Sequence, residues 1–336
     1  VWHCNTLLRP GEDFTAGDPL ERQRTVRMAT PQNGVSSAQV VVSADEELKD
    51  VSATRGDLKS TDGASLSARC VEIRFATVEG KTQQVPVALT VYDWTLPDLR
   101  DFDTTVSLLH CPEAIAREYD VPLWSDKHFK LLEKSMALMG YGGNTLLAVW
   151  AIGEDWFGDH PMIVFRKEGG KYVPDLRFVK RYLKLYDKNA QPPRYLSVQV
   201  WNYSVSQRGF GRDGGKKKWI AKTIKVRLLE GNRLVPAEMP VYTQRGTEET
   251  WAAVADGMKQ IVDDLGWTET QLLWGIGGDN LPNEEIVAIF KKIAPDFYWR
   301  VVTHGSSVRA WGETVEERTQ PGGLILGHGS LVRRNI

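Results

Sequence analysis

The chain of 336 residues has only three cysteines, Cys4, Cys70 and Cys111, and they stand far apart. They form neither a CxxC knuckle nor an even-numbered framework, which excludes a cysteine metal site and a disulfide scaffold. Buried free thiols are expected instead. An excess of charge of one sign is missing too. Lys and Arg total 42 against 43 Asp and Glu, a formal net charge of −1. Such a chain has no electrostatic footprint for gripping nucleic acid. No apolar run approaches the ~20 residues that span a bilayer. The opening Val1-Trp2-His3-Cys4 lacks Met, and no basic segment followed by an apolar one comes after it. Either a targeting segment has been removed or the chain is a fragment, and a secreted or periplasmic location is the favoured expectation.

What is present is enough apolar material for a sizeable core, 42% of the residues, and length enough for two domains. Twelve tryptophans stand out, ten of them after residue 100. Trp offers a flat platform to sugars or aromatic ligands, and it also simply fills large cores; composition leaves both open.

Residues 1–97 read as β. Val85, Val87, Leu89 and Val91 alternate with smaller residues, and Val71, Ile73 and Phe75 alternate with Glu72 and Arg74, a period of two that marks half-buried strands. Gln39-Val40-Val41-Val42 reads as a more fully buried strand. Turns such as Thr61-Asp62-Gly63 punctuate them. Several short strands without a long helical pattern predict a β-sandwich.

From residue 98 to 336 the rhythm becomes strand, helix, strand, helix. Residues 105–109 are strand-like. Ser125-Asp126 caps a helix reaching Met139, with Phe129, Leu132, Met136 and Met139 on one stripe. Strands follow at 145–152, 195–200, 271–276 and 299–303, with a sixth starting at 323. Helices are read at 176–185, 251–265 and 284–293. Near-continuous apolar strands between helices predict a parallel sheet covered by helices, and β/α repeats without a Gly-rich first turn favour a barrel. About six strands are read, against eight in a closed barrel, so a TIM-like but incomplete barrel is expected. Residues 204–245 interrupt it. Ile224–Leu228 and Leu234-Val235-Pro236 flank Glu230-Gly231-Asn232, a hairpin inserted in a βα loop, where barrels shape their active sites.

Gly209-Phe210-Gly211-Arg212-Asp213-Gly214 matches GxGxxG by letter. Phosphate cradling needs a helix to begin at the last glycine, and here Lys216-Lys217-Lys218-Trp219 leads into a strand. It is read as a solvated loop, and no motif calls for a cofactor. No Ser–His–Asp order or GxSxG elbow supports serine-hydrolase chemistry. Glu154, Asp155, Asp159 and His160 crowd the segment after one barrel strand. They suit a divalent ion, or are a solvated charged loop, with metal binding the minor reading.

The sharpest constellation is Leu273-Trp274-Gly275-Ile276-Gly277-Gly278-Asp279-Asn280. An apolar strand ends in paired glycines, which allow close approach of a ligand, and then an acid at the rim where barrels place catalytic groups. Asp279 and Asn283 equally suit capping of the next helix; spacing alone leaves the two open.

The layout resembles glycoside hydrolase family 123, in which a β-sandwich precedes a (β/α) barrel. The resemblance rests on Asn33-Gly34-Val35-Ser36-Ser37-Ala38-Gln39-Val40, on Val91-Tyr92-Asp93-Trp94-Thr95-Leu96-Pro97 and on the overall order of elements. Gly277-Gly278-Asp279-Asn280 is also similar to the Gly-Gly-Asp-Glu turn of retaining β-hexosaminidases. The resemblance implies substrate-assisted hydrolysis of a terminal N-acetylated amino sugar. Asp279 matches the aspartate that orients the acetamido group. The acid position is Asn280, and an amide has no proton to give near neutral pH. Glu154 or Asp155 replaces it, or Glu284 or Glu285 does, or the protein binds glycan without cutting it. The resemblance also implies a sugar pocket lined by groups such as Trp150, Trp201, Asn202, Tyr203 and Trp311, and Trp274, five residues before Asp279, is the least suited of the tryptophans to reach solvent. His304, after a barrel strand, suits a hydrogen bond to a substrate hydroxyl or is an ordinary loop histidine.

Overall fold

The computed structural model describes residues 2–4, 25–41, 52–73, 85–101, 105–153, 158–202, 204–207, 219–277, 282–302 and 324–327. The chain divides into two compact units, Val1–Asp98 and Leu99–Ile336.

Among the described residues the first unit contains three strand pairs. β1 (Trp2–Cys4) runs antiparallel to β3 (Gln39–Val41), and β4 (Leu58–Lys59) antiparallel to β5 (Ser65–Leu66). β2 (Val26–Gln32) lies parallel to β6 (Val87–Thr95). The alternation at 85–91 falls mostly on β6, but Val87 and Val91 are 40% and 53% exposed there, so it does not mark a half-buried face. Thr61-Asp62-Gly63 forms the expected turn: Gly63 donates to Ser60 O, and Ala64 to Asp62 Oδ1. Two further expectations differ. Val40 is 42% exposed on a three-residue strand, too short to be covered on both faces. Val71–Ile73 lie outside any strand, Phe75 is beyond the described residues, and Cys70 is exposed rather than buried. Two packed sheets are not seen among the described residues.

The second unit is mixed α/β around a five-stranded sheet. β7 (Leu146–Trp150), β10 (Tyr195–Asn202), β15 (Gln271–Gly277), β16 (Tyr298–Val302) and β17 (Leu324–Gly327) are all parallel and lie side by side in chain order. Among the described residues five α-helices accompany them: α1 (Pro112–Glu118), α2 (Asp126–Tyr141), α3 (Arg177–Asn189), α4 (Thr247–Asp264) and α5 (Glu284–Ile293). No helix among the described residues is long and apolar enough to cross a membrane.

Local sequence explains these elements. Ser125 Oγ accepts from His128 N and starts α2, whose Phe129, Leu132, Met136 and Met139 are all buried. Asn283 Oδ1 does the same for Ile286 N at the start of α5. One face of the sheet meets the helices: Trp274 packs on Phe290 of α5 at 4.9 Å between ring centroids, and Phe290 on Trp299 of β16 at 5.3 Å. Tyr242 and Trp251 extend this aromatic layer. Burying a ring of this size contributes on the order of 2–3 kcal/mol, so the tryptophan excess is largely a core device.

The loops after β7 and β10 carry hairpins. β8 (Val164–Glu168) and β9 (Lys171–Asp175) form the first; β13 (Thr223–Glu230) and β14 (Arg233–Pro240) form the second, turning at Gly231 with φ +60°. Leu228 pairs with Phe165, so the two hairpins join into one four-stranded sheet. Residues 206–207 and 219–220 pair as two further short strands, β11 and β12.

The main sheet is strongly curved. Residues 105–109, expected as a strand, form no regular ladder, but they lie along the free edge of β7: Leu146 N donates to Val106 O, and Val106 N to Thr145 Oγ1. Arg300 of β16 nevertheless donates to Ser107 Oγ at 3.1 Å. In a flat sheet four strand spacings, about 19 Å, would separate these segments. An arginine side chain is far shorter, so the sheet curls until its inner face brings them together. No closed barrel is seen among the described residues.

Candidate active site

The C-terminal ends of β10 and β15 lie level with one another, and β7 ends shortly before them. Trp150 is in register with Gln199, and Asn202 with Gly277. Asp279 and Asn280 follow two and three residues after β15 and lie outside the described residues, as do Glu154, Asp155, Tyr203, His304 and Trp311.

The bulge between Gln199 and Trp201 decides what β10 presents. Uninterrupted alternation would place Trp201 on the inner face with Gln199. One extra residue reverses the side. Trp201 becomes level with Ile276 on the helix side, is 1% exposed and packs on Tyr242 at 6.2 Å. Asn202 takes the place beside Gly277. Its Nδ2 donates to Gly153 O at 2.9 Å, and its Oδ1 accepts from Ser204 N and Oγ at 2.9 and 2.7 Å. The buried Asn202 amide therefore ties the loops following β7 and β10 together. Lys225 O, accepting from Gly153 N, and Asp159 O, accepting from Arg227 Nε, fasten the β13 strand to the same segment.

Trp150 stays on the inner face and borders a small cleft, with room for about one water molecule, together with Glu113, Trp124, His160, Pro161 and Met162. Its Nε1 donates to His110 O at 3.4 Å. Glu113, in the first turn of α1, is the one carboxylate among the described residues that lines this cleft. Its Oε2 accepts from the backbone of Asp159 at 2.7 Å and of His160 at 2.9 Å. His160 Nδ1 approaches Oε1 at 3.1 Å, outside hydrogen-bond alignment. The carboxylate thus holds the far end of the segment that carries Glu154 and Asp155. No group of three or more metal-ligating side chains occurs among the described residues.

Behind Trp150 lies a buried polar chain. His110 Nδ1 is 2.7 Å from the Tyr182 hydroxyl and Nε2 is 2.8 Å from Ser135 Oγ, which itself donates to Leu132 O. One neutral tautomer, with the proton on Nε2, satisfies every member. Burial, with His128 nearby, pushes the His110 pKa down to about 4.

Glu113 and His110 escaped the sequence reading because their partners lie dozens of residues away. The available signal was Cys111-Pro112-Glu113 after a strand-like run, a proline and an acid suited to a helix start.

The family description "glycoside hydrolase 123, catalytic domain" matches residues 110–280, from His110 to Asn280. A solved family 123 glycoside hydrolase from Clostridium perfringens, whose structural analysis concerns glycolipid glycan hydrolysis, is similar at 15% identity with a TM-score of 0.47. The similarity covers 65% of this chain and 38% of that one, so this chain spans well under half the length of that structure. No curated protein matches.

Proposed function

The chain belongs to glycoside hydrolase family 123, and from that membership we propose that it cleaves terminal N-acetylated amino sugars by a substrate-assisted, retaining reaction. The observation that carries this reading is the position of Gly277-Gly278-Asp279-Asn280: the family match closes on it, directly after a central parallel strand. We take residues 1–97 as a β-sandwich and 98–336 as an incomplete TIM-like barrel with the 204–245 insertion.

In this reaction the acetamido oxygen attacks the anomeric carbon while the bond to the leaving oxygen breaks. Asp279 orients the acetamide and balances the positive charge of the oxazolinium-like intermediate, which water then opens to restore the acetamido group. The leaving oxygen must receive a proton, and Asn280 cannot supply it. We assign that role to Glu154 or Asp155, on the segment that Gly153 and Glu113 hold at either end. Such a proton donor is worth about 10²–10⁴ in rate. Trp150, Asn202, Tyr203, His304 and Trp311 are the groups proposed to shape the sugar pocket, with Trp201 supporting it from the helix side.

The test is hydrolysis of aryl N-acetyl-β-galactosaminide and aryl N-acetyl-β-glucosaminide. Asp279→Ala should lower kcat by about 10²–10³, and one of Glu154→Gln and Asp155→Asn should lower it comparably for the less activated leaving groups. Native turnover that survives Asp279→Ala refutes the assignment. Asn280 itself favours a second reading, a glycan-binding relative without catalysis; an inert parent chain that gains turnover through Asn280→Glu would establish it.

A further inference from the structure

On the inner face of the sheet, Trp150, Gln199, Gly275 and Arg300 stand in one register across four strands. Arg300 is 4% exposed, and its described hydrogen bond is the one to Ser107 Oγ; Nε is buried without a partner. Gln199, 1% exposed, donates from Nε2 to Ser197 Oγ, and its Oε1 is buried without a partner. No carboxylate among the described residues pairs with the guanidinium. Between the two side chains stands Gly275, where a Cβ would meet Gln199 Nε2 at 2.3 Å. Glycine here lets polar groups approach the strand backbone.

A buried cation left without an anion, beside an acceptor left without a donor, is costly in a folded chain. Burial lowers the Arg300 pKa to about 10, so the group remains charged at neutral pH. The missing partner therefore has to carry negative charge and, for Gln199, a hydroxyl. Trp150 stands at the same level of the sheet.

We propose that Arg300, held by Ser107 and accompanied by Gln199, is a specificity-determining site for a sugar bearing an anionic substituent, a carboxylate or a sulfate. This rests on the glycan-processing reading above and adds the charge of the substrate to it. The guanidinium fork receives the anion, and a neighbouring sugar hydroxyl donates to Gln199 Oε1.

The experiment is calorimetric titration of the intact chain with N-acetylgalactosamine, its 6-sulfate and glucuronic acid, alongside Arg300→Gln, Arg300→Lys and Ser107→Ala. The 6-sulfate or the uronic acid should bind at least about tenfold more tightly than the neutral sugar, and which of the two does so identifies the anion. Arg300→Gln should erase the preference. Arg300→Lys, which keeps the charge and loses the fork, should reduce it; so should Ser107→Ala, keeping the test open if Arg300→Gln fails to fold. Equal binding of neutral and anionic sugars, or a preference that persists in Arg300→Gln, overturns the proposal. Titration in the Asp279→Ala background separates it from the hydrolytic reading. A preference kept there supports Arg300 whatever happens to cleavage, and cleavage without any preference overturns Arg300 alone.

Discussion

Acid should unfold the second unit in part through a single imidazole, His110. Its pKa is about 4 in the folded chain against about 6.5 in the unfolded one. Between these values the unfolded state binds more protons, so stability falls as pH falls through this window and the loss is complete below pH 4. From pH 7.5 to 4.5 the two values give a loss of about 2.5 kcal/mol, and at an m-value of about 2–3 kcal/mol/M the urea midpoint should move by on the order of 1 M. His110→Gln keeps donors and acceptors for Ser135 and Tyr182 but cannot titrate. Urea unfolding of both proteins across pH 4–8 isolates the effect, because His128 and the carboxylates remain in each. The parent should lose about 2.5 kcal/mol more than the variant over this range. Parallel pH curves for the two proteins would refute a neutral, fully bonded His110.

Two further substitutions probe the rim and the inner face. Gly275→Ala would place a methyl 2.3 Å from Gln199 Nε2 and 2.5 Å from Ser197 Oγ. Overpacking there should cost about 1–3 kcal/mol and lower Tm by several degrees; an unchanged Tm would show that the Gln199 side chain moves aside freely. Glu113→Ala removes the acceptor for two backbone N–H groups, a loss of roughly 2 kcal/mol. Amide exchange at Asp159 and His160 should accelerate, and unchanged protection would show that Glu113 does not hold the segment.

What the sequence disclosed follows from the range over which each interaction acts. Phe129, Leu132, Met136 and Met139 share a stripe because of helix geometry, so α2 was legible from spacing, as was its Ser125 cap. The β13–β14 turn was legible in Glu230-Gly231-Asn232. The hairpin of β8 and β9 was not read, although Gly169 and Gly170 mark its turn with positive φ. The placement of Trp201 was hidden as well, since the single extra residue in β10 is a property of pairing with β15 and leaves no local trace. The hydrogen bond from Arg300 to Ser107 spans 193 residues; nothing nearby in the chain announces it. At the candidate site the Gly-Gly-Asp segment is legible only as the stretch that follows β15, whereas Glu113, an acid in an unremarked first helical turn, acquires its role only when residues 159 and 160 fold onto it.

The bridge between Leu228 and Phe165 binds two separate insertions into one four-stranded sheet. Neither hairpin is then a free module: exchanging one alone with a relative would strand the unmatched edge of the other. Any transplant of substrate preference into this scaffold should carry both hairpins as a set, and Asn202, anchored to Gly153 beneath them, belongs to the same graft.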